Sequence, residues 1–200
     1  MHTRFSLIIA ILVLSSLGYC QILNRGVPDS YQLGYATYLN AGDSSLVLSN
    51  SGASSLAPGE GNLCANIYVF DSGEEMNECC SCVVTPDGFD SASAKNALTS
   101  NPLTGIVPTT IIIKLLATAE TAGFCDPASV TAAELAPGMT AWGTTLTPAP
   151  PLGKTYATVA VDYKDEELSA GELASLTSTC SFILRLGSGR GICKGCVSGD

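Results

Sequence analysis

Three observations in the sequence predict a mostly β (α+β) fold: an antiparallel β-sandwich-like domain with one C-terminal amphipathic helix, stapled by disulfides. Apolar and polar residues alternate along most of the chain, the period of a half-buried strand. Only one segment, near the C-terminus, carries helical spacing. Nine of the 200 residues are Cys, a density typical of a disulfide framework. Hydrophobic residues make up 46% and charged residues 14%, which favours a packed core over disorder. The length suits a single domain, residues 21–200, behind a short leader.

Residues 1–20 have the three parts of an export signal. Arg4 gives a positive start, Phe5 to Leu17 an apolar run, and Gly18-Tyr19-Cys20 a small-residue exit. The run is shorter than the roughly 20 apolar residues that span a bilayer, and no second such run follows. The expected product starts near Gln21 and is secreted or periplasmic, at the cell surface or free of it. The second choice is a lipoprotein acylated on Cys20, although Tyr19 stands where that signal wants a small residue. The chain from residue 21 has eight basic against 18 acidic residues, a net charge of -10, and no histidine.

The strands are expected in this order. Leu46 and Leu48 face one way and Ser45, Val47 and Ser49 the other, after a turn at Ala41-Gly42-Asp43, which reads as a hairpin over 35–49. Residues 63–70 form a strand with Leu63, Ala65, Ile67 and Val69 on one face. Asp71 to Glu75 reads as the start of a short helix, with acids where the helix dipole favours them. Thr85-Pro86-Asp87-Gly88 is a turn by composition, and 90–105 reads as a surface loop. Thr109 to Thr118 is apolar on both faces, as in a central strand covered on both sides. Residues 139–147 alternate with Trp142 and Leu146 on one face, and Thr147 to Leu152 breaks that strand. Residues 154–163 alternate again, with Val159, Val161 and Tyr163 together. Ser169-Ala170-Gly171-Glu172 reads as a capping box. Leu173, Leu176, Cys180, Ile183 and Leu184 then follow at helical spacing, and Gly187 and Gly189 end the helix.

Setting Cys20 aside with the leader leaves Cys64, Cys79, Cys80, Cys82, Cys125, Cys180, Cys193 and Cys196. An even number in an oxidising compartment implies a disulfide framework. Eight thiols allow 105 pairings. Adjacent Cys79 and Cys80 point in different directions, so a bond between them is strained. If no bond forms inside 79–82, its three thiols take three of the other five and the last two pair together. Two other readings compete: a redox dithiol at Cys193-Lys194-Gly195-Cys196, and an all-thiolate zinc or iron site joining 79–82 to 193–196. The first follows a helix instead of opening one, and the second asks for free thiols in an oxidising compartment.

Much chemistry is excluded. Without imidazole there is no Ser-His-Asp or Cys-His nucleophile, no usual catalytic zinc site and no C-x-x-C-H haem attachment. Gly187 to Gly191 follows a helix, unlike a nucleotide loop. No G-x-S-x-G or S-x-x-K motif follows the leader. The acids at 162–167 and at Glu74, Glu75 and Glu78 lack the spacing of a calcium loop and read as solvated turns. A nucleic-acid partner is excluded by the negative balance. No catalytic, cofactor-binding or metal residue is assigned, and no cofactor is expected.

The pieces L-C-A-N-I-Y-V-F-D, E-C-C-S-C-V-V-T-P, I-K-L-L-A-T, W-G-T-T-L, L-S-A-G-E-L and G-I-C-K-G-C together resemble a group of exported, cysteine-rich bacterial proteins of uncharacterised function. The resemblance covers most of residues 21–200. It implies export and a shared cysteine framework, and it supplies no activity. The expected function is a non-enzymatic binding or surface-structural module for an extracellular or cell-surface partner. Loops at 50–62, 87–105 and 147–153 would present it, because exposed loops on rigid scaffolds carry binding residues. The main alternative is a secreted carboxylate hydrolase, which needs two acids and no histidine.

Overall fold

The computed structural model describes residues 21–56, 60–99, 106–121, 123–151, 153–187 and 191–194, with backbone alone for 191 and 192. The expected leader at 1–20, Gly189 and Cys196 lie outside the described residues. Among the described residues ten strands form two sheets: β1 (Tyr31–Ala36), β2 (Ser45–Asn50), β3 (Leu63–Asp71), β4 (Met76–Val84), β5 (Phe89–Ser93), β6 (Ile111–Ala119), β7 (Met139–Ala149), β8 (Thr155–Asp162), β9 (Lys164–Asp165) and β10 (Gly191–Ile192). One sheet has the order β10-β4-β3-β6-β1-β9 and the other β5-β2-β7-β8. Pairing is antiparallel except where the two-residue β10 runs parallel to β4. The helix α1 (Ala170–Leu186) completes the set. The mostly β, sandwich-like fold with a C-terminal helix is as the alternation predicts.

The strand period builds three layers. Leu63, Ala65, Ile67 and Val69 of β3 and Ile111, Ile113 and Leu115 of β6 point into the gap between the sheets. There they meet Leu46 and Leu48 of β2 and Met139 and Ala141 of β7. The other face of the larger sheet offers Tyr31, Tyr68, Cys79 and Leu116, and α1 covers it with Leu173, Leu176, Cys180 and Ile183. Burial on both faces explains why β6 reads as apolar on both sides, and β3, read from one face only, is buried on both as well. The cover is incomplete at one end of β6, where Ile112 is 46% exposed.

Both ends of α1 have the expected caps, with one change. Ser169 Oγ accepts the Glu172 N–H at 3.1 Å, and Gly187 closes the helix at φ 78°, a conformation that suits glycine. The Glu172 carboxylate leaves the capping box and takes Lys114 Nζ at 2.6 Å instead. The Lys114 ammonium is a stronger donor to the carboxylate than the helix's own first N–H.

Four other expectations are corrected. β1 and β2 are not a hairpin, since they lie in different sheets. Thr37 makes the crossing, its N–H donating to Thr145 Oγ1 at 2.9 Å and its hydroxyl to Leu146 O at 2.6 Å. Residues 71–75 are the β3–β4 turn and not a helix. Asp71 Oδ1 accepts the N–H groups of Gly73 and Glu75 at 2.8 and 3.1 Å, so its acid caps a turn. Within 90–105, residues up to Ser93 belong to β5, and 100–105 lie outside the described residues. The strand at 139–147 runs on through Pro148 to Ala149, which is allowed because Pro148 sits at the strand's far end.

The cysteines tie these layers. Because residues alternate on β4, Cys79 faces the helix and Cys80 the sheet gap. Cys79 is bonded to Cys180 of α1 and Cys80 to Cys193 after β10. Cys64 of β3 is bonded to Cys125. Cys82 is also disulfide-bonded, with a partner outside the described residues.

Candidate functional site

Two surfaces combine exposure with hydrogen-bonding groups. The first is the end of the sandwich where the β2–β3 loop (51–62), the β4–β5 turn (85–88) and the β6–β7 loop (120–138) meet. Asn50, fully buried, organises it. Its Nδ2 donates to Gly61 O at 2.8 Å and Val84 O at 2.9 Å, and its Oδ1 accepts the Gly52 N–H at 2.9 Å. The result is a shallow cleft of about 690 Å³ between Ser51, Ser55, Asn62 and Asp87. A second cleft, of about 310 Å³, shares Asn62 and adds Glu60 and Glu120. A third, of about 210 Å³, lies over the Cys64–Cys125 bond and contains Asp126 and Glu134.

Three of the acids in these clefts, Glu120, Asp126 and Glu134, are already engaged. Asn62 Nδ2 donates to Glu120 Oε2 at 2.6 Å. Asp126 accepts Ala128 N–H at 2.9 Å and Ser129 Oγ–H at 2.8 Å. Glu134 Oε2 accepts both the N–H and the hydroxyl of Thr131, at 2.6 and 2.7 Å. The Thr131–Glu134 box caps a single 3₁₀ turn at Ala132–Glu134, and T-A-A-E, outside any apolar periodic run, is its only signal in the sequence. These bonds tie Glu120 across to the β2–β3 loop and hold Asp126 and Glu134 against their own loop. Tyr68 underlies the same loop, its hydroxyl donating to Pro127 O at 2.8 Å. Burial, and then the Asp126 charge, pushes its phenol pKa up.

The second surface is the outer face of the four-stranded sheet. Register puts Phe89, Ser49 and Thr140 in one row, Ser91, Val47, Trp142 and Asp162 in the next, and Ser45 opposite Thr144 beyond. Phe89 is 75% and Trp142 40% exposed. They stand two strands and two residues apart, about 12 Å by strand spacing and rise. Ser45 and Thr144 hydroxyls are 3.0 Å apart, and Asp162 is the one charged side chain in these rows. The sheet beneath is rigid, being packed on the core. One end is closed by the 38–43 turn, where Tyr38 meets Tyr156 at 4.9 Å.

The expected loops do not converge. Residues 50–62 (57–59 undescribed) and 87–88 are at the cleft end, while 94–99 and 150–153 are at the opposite end, with 100–105 and 152 outside the described residues. Cys64, Cys79, Cys80, Cys82, Cys125, Cys180 and Cys193 are all disulfide-bonded. Cys193 is thus joined to Cys80 and unavailable as half of a terminal redox pair. Among the described residues no group of three or more Cys, Asp or Glu is placed to hold a metal ion, and no helix is long and apolar enough to cross a membrane. The chain matches no family model, no curated protein and no solved structure.

Proposed function

We propose that the protein is an exported, non-enzymatic binding module whose ligand surface is the outer face of the four-stranded sheet. One observation carries this reading: Phe89 and Trp142, two large rings, stand exposed on a flat face otherwise made mostly of Ser, Thr and Val. Leaving the largely exposed Phe89 ring in water forgoes most of about 1.5–3 kcal/mol of burial, and the 40% exposed Trp142 a smaller part, and aromatic rings beside hydroxyl groups are the usual makings of a contact surface. The ligand this chemistry fits is neutral, with apolar patches and hydroxyl or amide groups, as in a cell-surface polysaccharide or an uncharged peptide. Export is supported by the three-part pattern of residues 1–20 and by the disulfides.

The test is depletion of purified protein by insoluble cellulose, chitin and peptidoglycan, together with the Trp142→Ala and Phe89→Ala variants. Saturable binding by the wild type that both variants lose, with no soluble product released, is the expected result. The rival hydrolase reading is favoured by Asp126 and Glu134 sharing one cleft. Product release abolished by Asp126→Asn or Glu134→Gln would establish it and overturn the binding module.

A further inference from the structure

The four sheet edges are unequal. β9 and β10 are two residues long, and β10 is held by the Cys80–Cys193 bond beside it. β5 has five residues and carries Asp90. Short or charged edges such as these resist pairing with another chain. β8 is different. It has eight residues, Thr155–Asp162, and no charge, Pro or Gly from Thr155 to Val161. One side is paired with β7, and among the described residues no strand lies beyond it. Its inward row is also only partly covered, with Val159 39% exposed.

We propose that β8 pairs with β8 of a second copy of this chain, antiparallel about a two-fold axis at Thr158. This occupant is chosen because the strand is complementary to itself. About that axis Tyr156 falls opposite Ala160, Ala157 opposite Val159, and Thr158 opposite Thr158. Each large residue meets a small one, and paired Thr hydroxyls bond across strands. Lys154, one residue before the strand, falls opposite Asp162 at its end, and the two-fold makes that opposite-charge pair twice. Directly opposed residues in this register have the same parity, so the outer face of one copy continues into that of the other. The four-stranded sheets then join as one of eight strands, with an isologous, closed interface. The dimer does not depend on the binding reading. If both hold, Phe89 and Trp142 are doubled on one surface, which raises avidity for a polymer.

A single strand edge is small for an interface, so the dimer dissociates in the micromolar range. Sedimentation velocity of the full mature chain, from about 1 μM to about 500 μM, reads it directly. The expected result is a monomer–dimer equilibrium. Lys154→Asp alone and Asp162→Lys alone each set like charges opposite one another and weaken it about ten-fold. The two substitutions together restore it. Thr158→Lys places two ammonium groups on the axis and abolishes it; near-UV circular dichroism checks its fold, and the charge exchange decides the case if it misfolds. A wild-type monomer throughout, or a dimer indifferent to the charge exchange, overturns the proposal.

Discussion

Removing the Cys79–Cys180 disulfide, which spans 101 residues, is expected to destabilise the protein less than removing Cys64–Cys125, which spans 61. In the loop-entropy picture a cross-link stabilises by shortening the closed loops available to the unfolded chain. Cys79 and Cys80 are neighbours, and Cys80 is bonded to Cys193. With that bond intact, the unfolded chain already connects residue 79 to residue 180 by a route of about 14 residues, through Cys80, Cys193 and the segment back to Cys180. No described bond makes such a short cut between Cys64 and Cys125. The entropy relation gives about 3 kcal/mol for the first bond and about 4.3 kcal/mol for the second. That difference corresponds to about 4 °C in Tm for a chain of this size. The comparison uses Cys79→Val with Cys180→Ala, and Cys64→Val with Cys125→Ala, because valine refills most of the buried sulfur volume and limits the cavity cost. Urea unfolding without reductant reads both pairs. A larger loss for the 79–180 pair would show that sequence separation, and not the shortest covalent route, sets the stabilisation.

Three other outcomes are expected. Gly34→Ala puts a Cβ about 2.3 Å from the Tyr163 ring, which lies over Gly34; overpacking of this kind costs about 1–3 kcal/mol, and an unchanged urea midpoint would refute the contact. Asp90, on the inward side of β5, has its pKa raised by burial, against a lowering by its bond from the Ser91 N–H. A raised acid favours folding below its unfolded pKa and loses that contribution as pH rises through the folded value. Asp90→Asn is therefore expected to stabilise at neutral pH, with the gain vanishing below about pH 4, and a pH-independent difference would contradict it. Finally, thiol titration of the denatured, unreduced protein without residues 1–20 is expected to find no free Cys, and peptide mapping to join Cys82 to Cys196, the one Cys then left without a described partner; two free thiols would end the framework.

The sequence makes the layers legible and the pairings obscure, for physical reasons. Period-two alternation is local, so the inward faces of β2, β3, β6 and β7 and the apolar stripe of α1 could be read directly. Which strands pair is decided by contacts far apart in sequence. The turn at 41–43 looks the same whether β1 and β2 form a hairpin or cross between sheets, and only Thr37 meeting Thr145 and Leu146 settles it. The acids at 71–75 suit a helix start and an Asx turn equally well, and the strand-forming run after them decides for the turn. Opposite directions for Cys79 and Cys80 followed from geometry alone, whereas their partners required the fold. The candidate surface was half visible. Trp142 stood out as the lone Trp, but its exposure, and Phe89 two strands away, depend on which sheet face the second layer leaves open.

The most direct test of the outer-face reading is the emission of Trp142, the single tryptophan of the chain and a member of the proposed surface. Mature protein is titrated with soluble oligosaccharides of chitin and cellulose, peptidoglycan fragments and an uncharged peptide. A saturable shift in Trp142 emission with at least one of them, lost in Phe89→Ala, is the predicted result. Binding detected by depletion that leaves Trp142 emission unmoved would place the ligand elsewhere and contradict the account.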